Sequence, residues 1–526
     1  MTIRGGLLCV VLATTAILGC AKPAAYPDPI APSAIDLRPR CEVDLMAADS
    51  PTPSFGAASA AVPHSLEALH TESAHGIPIF AESAPRSGLA ILGWGFPLHE
   101  PDASSEESFA PRLGAALLRT GETASDPVRF RRRVLEIGGT LSSHVEGGWL
   151  WLELRYPETR SDKAFRVLSD WLRPTAADPV SFETRRRAVA LEELVLDSSP
   201  TNLAARSFRR LHRPPPGALD PDALARDDPD ATPEGVRRFL ESALRFEDSV
   251  VLYAGTEEPS RIRASIEATL ERVSPSFVSA WSDGEAWPSH VSMRDDDARA
   301  DRRPKRDAQI DARQPEAEPT IYVVDQPGVA QVEILAGFPT LAPGDPEFAE
   351  LELWASLLGG NVGGRLFRDL RERQGLAYII NAEQSMEGRF VVTTRSRPER
   401  VVALLHGIEA HLRALVEVQL EDCEVAMLRT RSAGEAAILE GDAESWTRQS
   451  RLDVATLGRP RATRASGNAR LDGLRSDLEA VARERLAKAP TILLVGDADW
   501  LRHDLRAAFP KREIRIIDPN SEIERH

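Results

Sequence analysis

Metal chemistry in a chain of this kind would begin with imidazoles at a fixed spacing. Two His four residues apart on a helix lie about 40° apart, so both reach one ion. A Glu between them can activate a metal-bound water. None of the eleven histidines stands in an H-x-x-E-H or H-E-x-x-H arrangement. The nearest approach is His406-Gly-Ile-Glu-Ala-His411. Those two are five apart, about 140° around a helix, too far to share an ion without distortion. They read as polar positions on a surface helix. The cysteines lack the paired spacing of a thiolate zinc site. Gly359-Gly360 and Gly363-Gly364 suggest a phosphate loop, but Arg365-Leu366 follows where Lys and then Ser or Thr are needed. No G-x-S-x-G nucleophile elbow is present.

The elements that would position any site come in two sets. Gly95-Phe96-Pro97 returns as Gly337-Phe338-Pro339, Pro157 as Pro398, and Gly255 as Gly496. Phe130 to Gly138 has the spacing of Phe367 to Gly375. An offset near 240 residues is far longer than a solenoid unit, so it marks a duplicated domain. In each copy a strand (89–96, 331–338) precedes a helix (107–119, 346–358). A second strand (149–156, 389–395) leads into another helix, and each copy closes with helix, strand, glycine, helix. This order predicts an α+β fold: two homologous domains, each a mainly antiparallel sheet with helices packed on one face, facing each other across a cleft. The boundaries read as a signal segment over 1–19, a Pro/Ala/Ser-rich tether over 20–60, a first domain over 61–278, a charged linker over 279–318, a second domain over 319–515 and a tail over 516–526.

At 526 residues the chain can bury two ordinary cores. A net charge of −16 argues against a nucleic-acid partner. Near the N-terminus, Arg4 precedes the apolar run Leu7–Leu18, which is too short to span a bilayer. The run ends in Ile17-Leu18-Gly19-Cys20, which resembles a bacterial lipobox with Cys20 as the lipidated residue. The implied place is the cell envelope, membrane-bound through the lipid and probing the periplasm from the outer membrane, since Ala21 rather than Asp follows Cys20. An ordinary secretory signal with a chance Cys is the alternative. In such an oxidising compartment Cys41 and Cys423 could pair, but one falls in the tether and the other in a helix, which argues against that bridge.

The second copy carries Leu358-Gly-Gly-Asn-Val-Gly-Gly-Arg-Leu-Phe-Arg-Asp-Leu-Arg-Glu-Arg-Gln-Gly-Leu-Ala-Tyr378. This resembles a signature of the pitrilysin/insulinase family of zinc metallopeptidases, in its mitochondrial-processing-peptidase-like branch, over about residues 61–515. The resemblance implies two homologous domains per subunit, paired subunits and extended peptide substrates. It also implies an H-x-x-E-H helix in the first domain, with a further Glu as third ligand. Leu117-Leu118-Arg119-Thr120-Gly121 resembles the family segment just after that motif, so the motif falls on Arg112-Leu113-Gly114-Ala115-Ala116. Arg112, Ala115 and Ala116 stand where His, Glu and His would, and Glu193 where the third ligand would. Ala has no ligand atom and Arg stays cationic, so no zinc or other cofactor is expected in this chain.

In active relatives an Arg and a Tyr seven residues apart hold the substrate carbonyl and the oxyanion. Arg371 and Tyr378 match that pair, and a charged and a neutral donor suit a developing oxyanion. The reading at this point is a catalytically incomplete lipoprotein, inactive alone. It would bind peptide or unfolded protein and lend Arg371, Tyr378 and a strand edge to a partner subunit bearing H-x-x-E-H. The alternatives are a non-proteolytic peptide-binding or scaffold protein of the envelope, and a peptidase with an unfamiliar metal site.

Overall fold

The computed structural model describes residues 70–72, 75–83, 88–98, 110–211, 232–282, 320–341, 345, 347–360, 362–460 and 474–517. The signal segment, Cys20, Cys41, the tether and residues 283–319 of the linker lie outside them.

The first copy runs β1 (His70–Glu72), β2 (Pro78–Ser83), β3 (Leu89–Pro97), α1 (Ala110–Thr120), α2 (Pro127–Glu136), β4 (Thr140–Glu146), β5 (Trp149–Pro157), α3 (Ser161–Trp171), α4 (Pro179–Ser198), α5 (Pro200–Leu211), α6 (Pro233–Ala243), β6 (Val250–Gly255), α7 (Pro259–Val273) and α8 (Pro275–Ser282). The last helix carries the first copy four residues past the expected boundary at 278. The second copy runs β7 (Ile321–Asp325), β8 (Val332–Pro339), α9 (Phe348–Leu358), a π-helical segment (Phe367–Arg373), β9 (Ile379–Ser385), β10 (Arg389–Ser396), α10 (Val401–Glu417), α11 (Asp422–Gly441), α12 (Ala443–Leu457), α13 (Leu474–Arg485), β11 (Thr491–Gly496), α14 (Ala498–Ala508) and β12 (Ile514–Ile517).

Among the described residues each copy builds one six-stranded sheet, ordered β1-β2-β6-β3-β5-β4 in the first and β12-β7-β11-β8-β10-β9 in the second. The five strands from β2 to β4 have their counterparts in the same order in β7 to β9. Only the outermost strand differs: the first sheet takes it from the N-terminal side, the second from the C-terminal side. Pairing is antiparallel except β2 with β6 and β7 with both β11 and β12.

The repeated glycines have packing reasons. A Cβ on Gly95 would lie 2.6 Å from the Trp151 ring, and one on Gly337 would lie 2.2 Å from the Phe390 carbonyl oxygen. Gly138 and Gly375 both adopt positive φ, +68° and +63°, just past α2 and the π-helical segment. Their equal spacing from Phe130 and Phe367 is therefore the same left-handed helix exit in both copies.

Side chains alternate across a strand, and both faces of the central strands are buried. Ala90, Leu92, Trp94 and Phe96 of β3 join the core under the first copy's own helices. Ile91 joins a second cluster with Phe80, Trp151, Val250 and Leu252, and that cluster is completed by Ala443, Trp446 and Val454 of α12. In the other direction, Leu203, Ala204 and Phe208 of α5 cover Val324, Leu335, Val391, Leu493 and Val495 of the second sheet. The two copies thus exchange helices, each covering the face of its partner's sheet that its own helices leave open. Polar contacts line the exchange. Arg451 Nε meets Glu146 Oε2 at 3.1 Å and also pairs with Glu153, while Thr201 Oγ1 donates to Glu333 Oε1 at 3.0 Å.

Candidate functional site

Helix α1 carries the positions where the zinc motif would stand. It packs against β4, α4 and α6. Its apolar face, Leu113, Ala115, Ala116, Leu117 and Leu118, belongs to the first core. Gly114 lets α6 come close: a Cβ there would lie 3.1 Å from Leu240 and 3.2 Å from Phe239. Ala115 and Ala116 are 4% and 5% exposed, and Arg112 is half-buried. Glu193 rides on α4, the helix packed against α1; its side chain lies outside the described set. Among the described residues no group of three or more His, Cys, Asp and Glu could hold a metal ion. The residues present do not fit zinc: two methyl groups and a guanidinium occupy the positions that would need donor atoms.

The structure does bring Arg371 and Tyr378 together. Arg371 lies in the π-helical segment, and such segments often accompany functional sites. Tyr378 stands immediately before β9, the edge strand of the second sheet. The Arg371 guanidinium carbon is 5.0 Å from the Tyr378 ring centroid and 4.4 Å from that of Phe367, within cation–π range. Its Nε is 3.3 Å from Glu372 Oε1. Tyr378 is 72% exposed, and Ile379 and Val362 are also exposed. The pair therefore forms an open, rigidly backed corner with free donor capacity, beside a strand edge.

The backing was not visible in the sequence. Asp369 and His411 are buried, and Asp369 Oδ2 lies 2.8 Å from His411 Nε2. An ionised carboxylate only accepts, so Nε2 carries the proton. Asp369 Oδ1 also accepts from Gln374 Nε2 at 3.0 Å and Arg373 Nε at 2.7 Å. Burial alone would raise this carboxyl, but the bonds from His411, Gln374 and Arg373 outweigh it and hold it below the ordinary Asp value. The surface-helix expectation for His406 and His411 fails here. His411 is a core side chain, and the His406 ring stacks on Phe509 with centroids 4.6 Å apart. Burial, then the Arg512 charge, lowers the His406 pKa.

The glycine-rich turn also has an internal explanation. A Cβ on Gly359 would lie 2.9 Å from the Ala382 nitrogen of β9, and one on Gly360 would lie 2.9 Å from Ser356 Cα. These two glycines serve the chain's own packing rather than the approach of another backbone. Arg365, inside the same signature, forms a fully buried two-pronged pair with Glu424 of α11, both bonds 2.8 Å. Next to it, Cys423 is disulfide-bonded, and its partner lies outside the described residues.

These positions sit on a two-domain α+β fold. Residues 230–431 match the peptidase M16 inactive domain. The chain is 22% identical over 437 residues to an uncharacterized zinc protease of Streptomyces coelicolor, covering 80% of this chain and 88% of that one. The fold is that of the peptidase M16 inactive domain from Pseudomonas fluorescens (TM-score 0.62, 15% identity, 81% of this chain and 97% of that one). It is also that of a protease from Helicobacter pylori (TM-score 0.59, 16% identity, 81% and 98%). Residues 230–431 thus match a peptidase M16 inactive domain, and the chain as a whole shares the two-domain fold of that type.

Proposed function

We propose that this chain is a catalytically incomplete M16 lipoprotein of the cell envelope. It is anchored through Cys20 and acts as the Arg/Tyr-bearing partner of a zinc-binding peptidase subunit. The observation that carries the reading is the asymmetry between the two domains. The wall that would hold metal is packed with alanine, while Arg371, half-buried, and Tyr378, exposed, stay adjacent beside an edge strand. An extended peptide can add to such an edge through its main chain. The guanidinium and phenol would then meet a substrate carbonyl and the negative charge that develops on it, while the metal-activated water comes from the partner.

The test is co-purification from the native membrane, then a peptidase assay of the partner with and without this chain. Arg371→Ala and Tyr378→Phe should each remove most of the added activity. Losing one oxyanion donor costs about 10²–10³ in rate. Tyr378→Phe should not shift the melting temperature beyond what about 0.5 kcal/mol produces, as Tyr378 is 72% exposed, and Arg371→Ala should cost no more than its ring contacts, about 0.5–1 kcal/mol. Unchanged turnover in both variants would leave peptide capture or scaffolding as the role, and activity of the isolated chain would overturn the reading.

A further inference from the structure

The π-helical segment touches α10 at two places one helical turn apart. Leu370, fully buried, fills a notch at Gly407: a Cβ on that glycine would lie 2.4 Å from Leu370 Cδ2. Four residues on, His411 receives Asp369. Positions i and i+4 share a helix face, so one stripe of α10 grips two consecutive residues of the segment. The exit is tied as well. Arg400 donates to the Gly375 carbonyl, and Ser396 donates to that of Leu376. Arg371 follows Asp369 by two residues and projects outward to Tyr378.

A π-helical turn carries one extra residue, so its rotational setting is less constrained by its own hydrogen bonds than that of an α-helix. Something outside the segment must choose which side chains face in. Leu370 would enter the core by hydrophobicity alone. Asp369 would not, because burying a carboxylate is costly unless it is paired and hydrogen-bonded. Without His411 the segment would relieve that cost by turning Asp369 toward solvent, and Arg371 would swing off Tyr378. His411 makes no second hydrogen bond: among the described residues its Nδ1 has no partner.

We propose that the buried Asp369–His411 pair is a positioning device that sets the rotation of the π-helical segment and so holds Arg371 against Tyr378 for an extended peptide. The peptide part of this statement rests on the function proposed above. The positioning part does not.

The experiment uses the full chain and two readouts. Hydrogen–deuterium exchange over residues 367–378 reports the segment without any ligand. Anisotropy with fluorescein-labelled oxidised insulin B chain reports peptide binding. His411→Leu should raise exchange across the segment and weaken the peptide about tenfold, and Arg371→Ala should weaken it to the same extent. The double variant should bind no worse than either single one, because both remove the same contact. His411→Gln, which keeps a donor near the Nε2 position, should restore binding and protection. If His411→Leu does not fold, His411→Ala takes its place with the same expected results. Unchanged exchange in His411→Leu or His411→Ala overturns the positioning role, and so do additive losses in the double variant. If Arg371→Ala leaves peptide binding intact, the proposed function fails, and the exchange data alone decide the positioning role.

Discussion

Rebuilding the motif as Arg112→His, Ala115→Glu, Ala116→His would ask whether the first domain still has room for a metal. The structure answers that it does not. Ala115 and Ala116 are nearly fully buried in the core against neighbouring elements of the same domain, and Gly114 between them and Arg112 already brings α1 into contact with Phe239 and Leu240. A carboxylate placed at 115 is a buried charge without a designed partner, a change that costs about 3–5 kcal/mol. For a domain of about 200 residues each kcal/mol moves the melting point by roughly 2–4 °C, so the triple variant should melt roughly 6–20 °C lower. A true site would reverse part of this. Zinc at about 100 times its dissociation constant adds about 2.7 kcal/mol to the folded state, roughly 5–11 °C by the same conversion. The assay is differential scanning fluorimetry of wild type and triple variant, with EDTA and then with zinc, beside metal analysis of the dialysed protein. The expected outcome is a destabilised variant whose melting point zinc does not raise. One equivalent of retained zinc with a matching rise would refute the argument that the wall has closed, and with it the claim that residue loss here is beyond simple repair.

Other predictions follow from single contacts. Removing one partner of the buried Arg365–Glu424 pair, as Arg365→Met or Glu424→Gln, should cost about 3–5 kcal/mol in urea unfolding, whereas Arg365→Met/Glu424→Leu together should recover most of it; equal losses in single and double variants would contradict this. Asp369 has a folded pKa below its unfolded value, so the stability it adds is present above pH about 4 and is lost as pH falls through the folded value. Asp369→Asn should therefore be less stable than wild type at pH 7, with the gap narrowing in melts toward pH 3; a gap independent of pH would be the wrong result. Cys423 should resist alkylation until the chain is reduced, and Cys423→Ser should lose about 2–4 kcal/mol and become insensitive to dithiothreitol. Modification of Cys423 in the unreduced native protein would exclude the bond.

Much of this molecule was legible along the chain. The duplication was, because Gly95 and Gly337 each lie under a close cross-strand contact, and Gly138 and Gly375 each make the same left-handed helix exit. The loss of metal donors was legible too, since donor chemistry belongs to residue identity and needs no contact to be read. So was the pairing of Arg371 with Tyr378, because one short segment sets their separation. His411 was misread: helical spacing gives an angle around the axis but not which angle faces the core. The disulfide at Cys423 was not legible, because it depends on where a distant chain segment returns.

Residue types and short spacings thus determined the architecture of each half and the missing donor atoms at Arg112, Ala115 and Ala116. Only the tertiary structure decided what binds the halves together and what steadies the site. α5 and α12 cross to the opposite sheet, Asp369 is met by a histidine 42 residues away, and Gly359 makes room for β9 rather than for a substrate. The reason is physical. Burial and partner choice are set by which surfaces meet after hundreds of intervening residues have folded, and hydrophobic periodicity records only that a face must be covered, never by what.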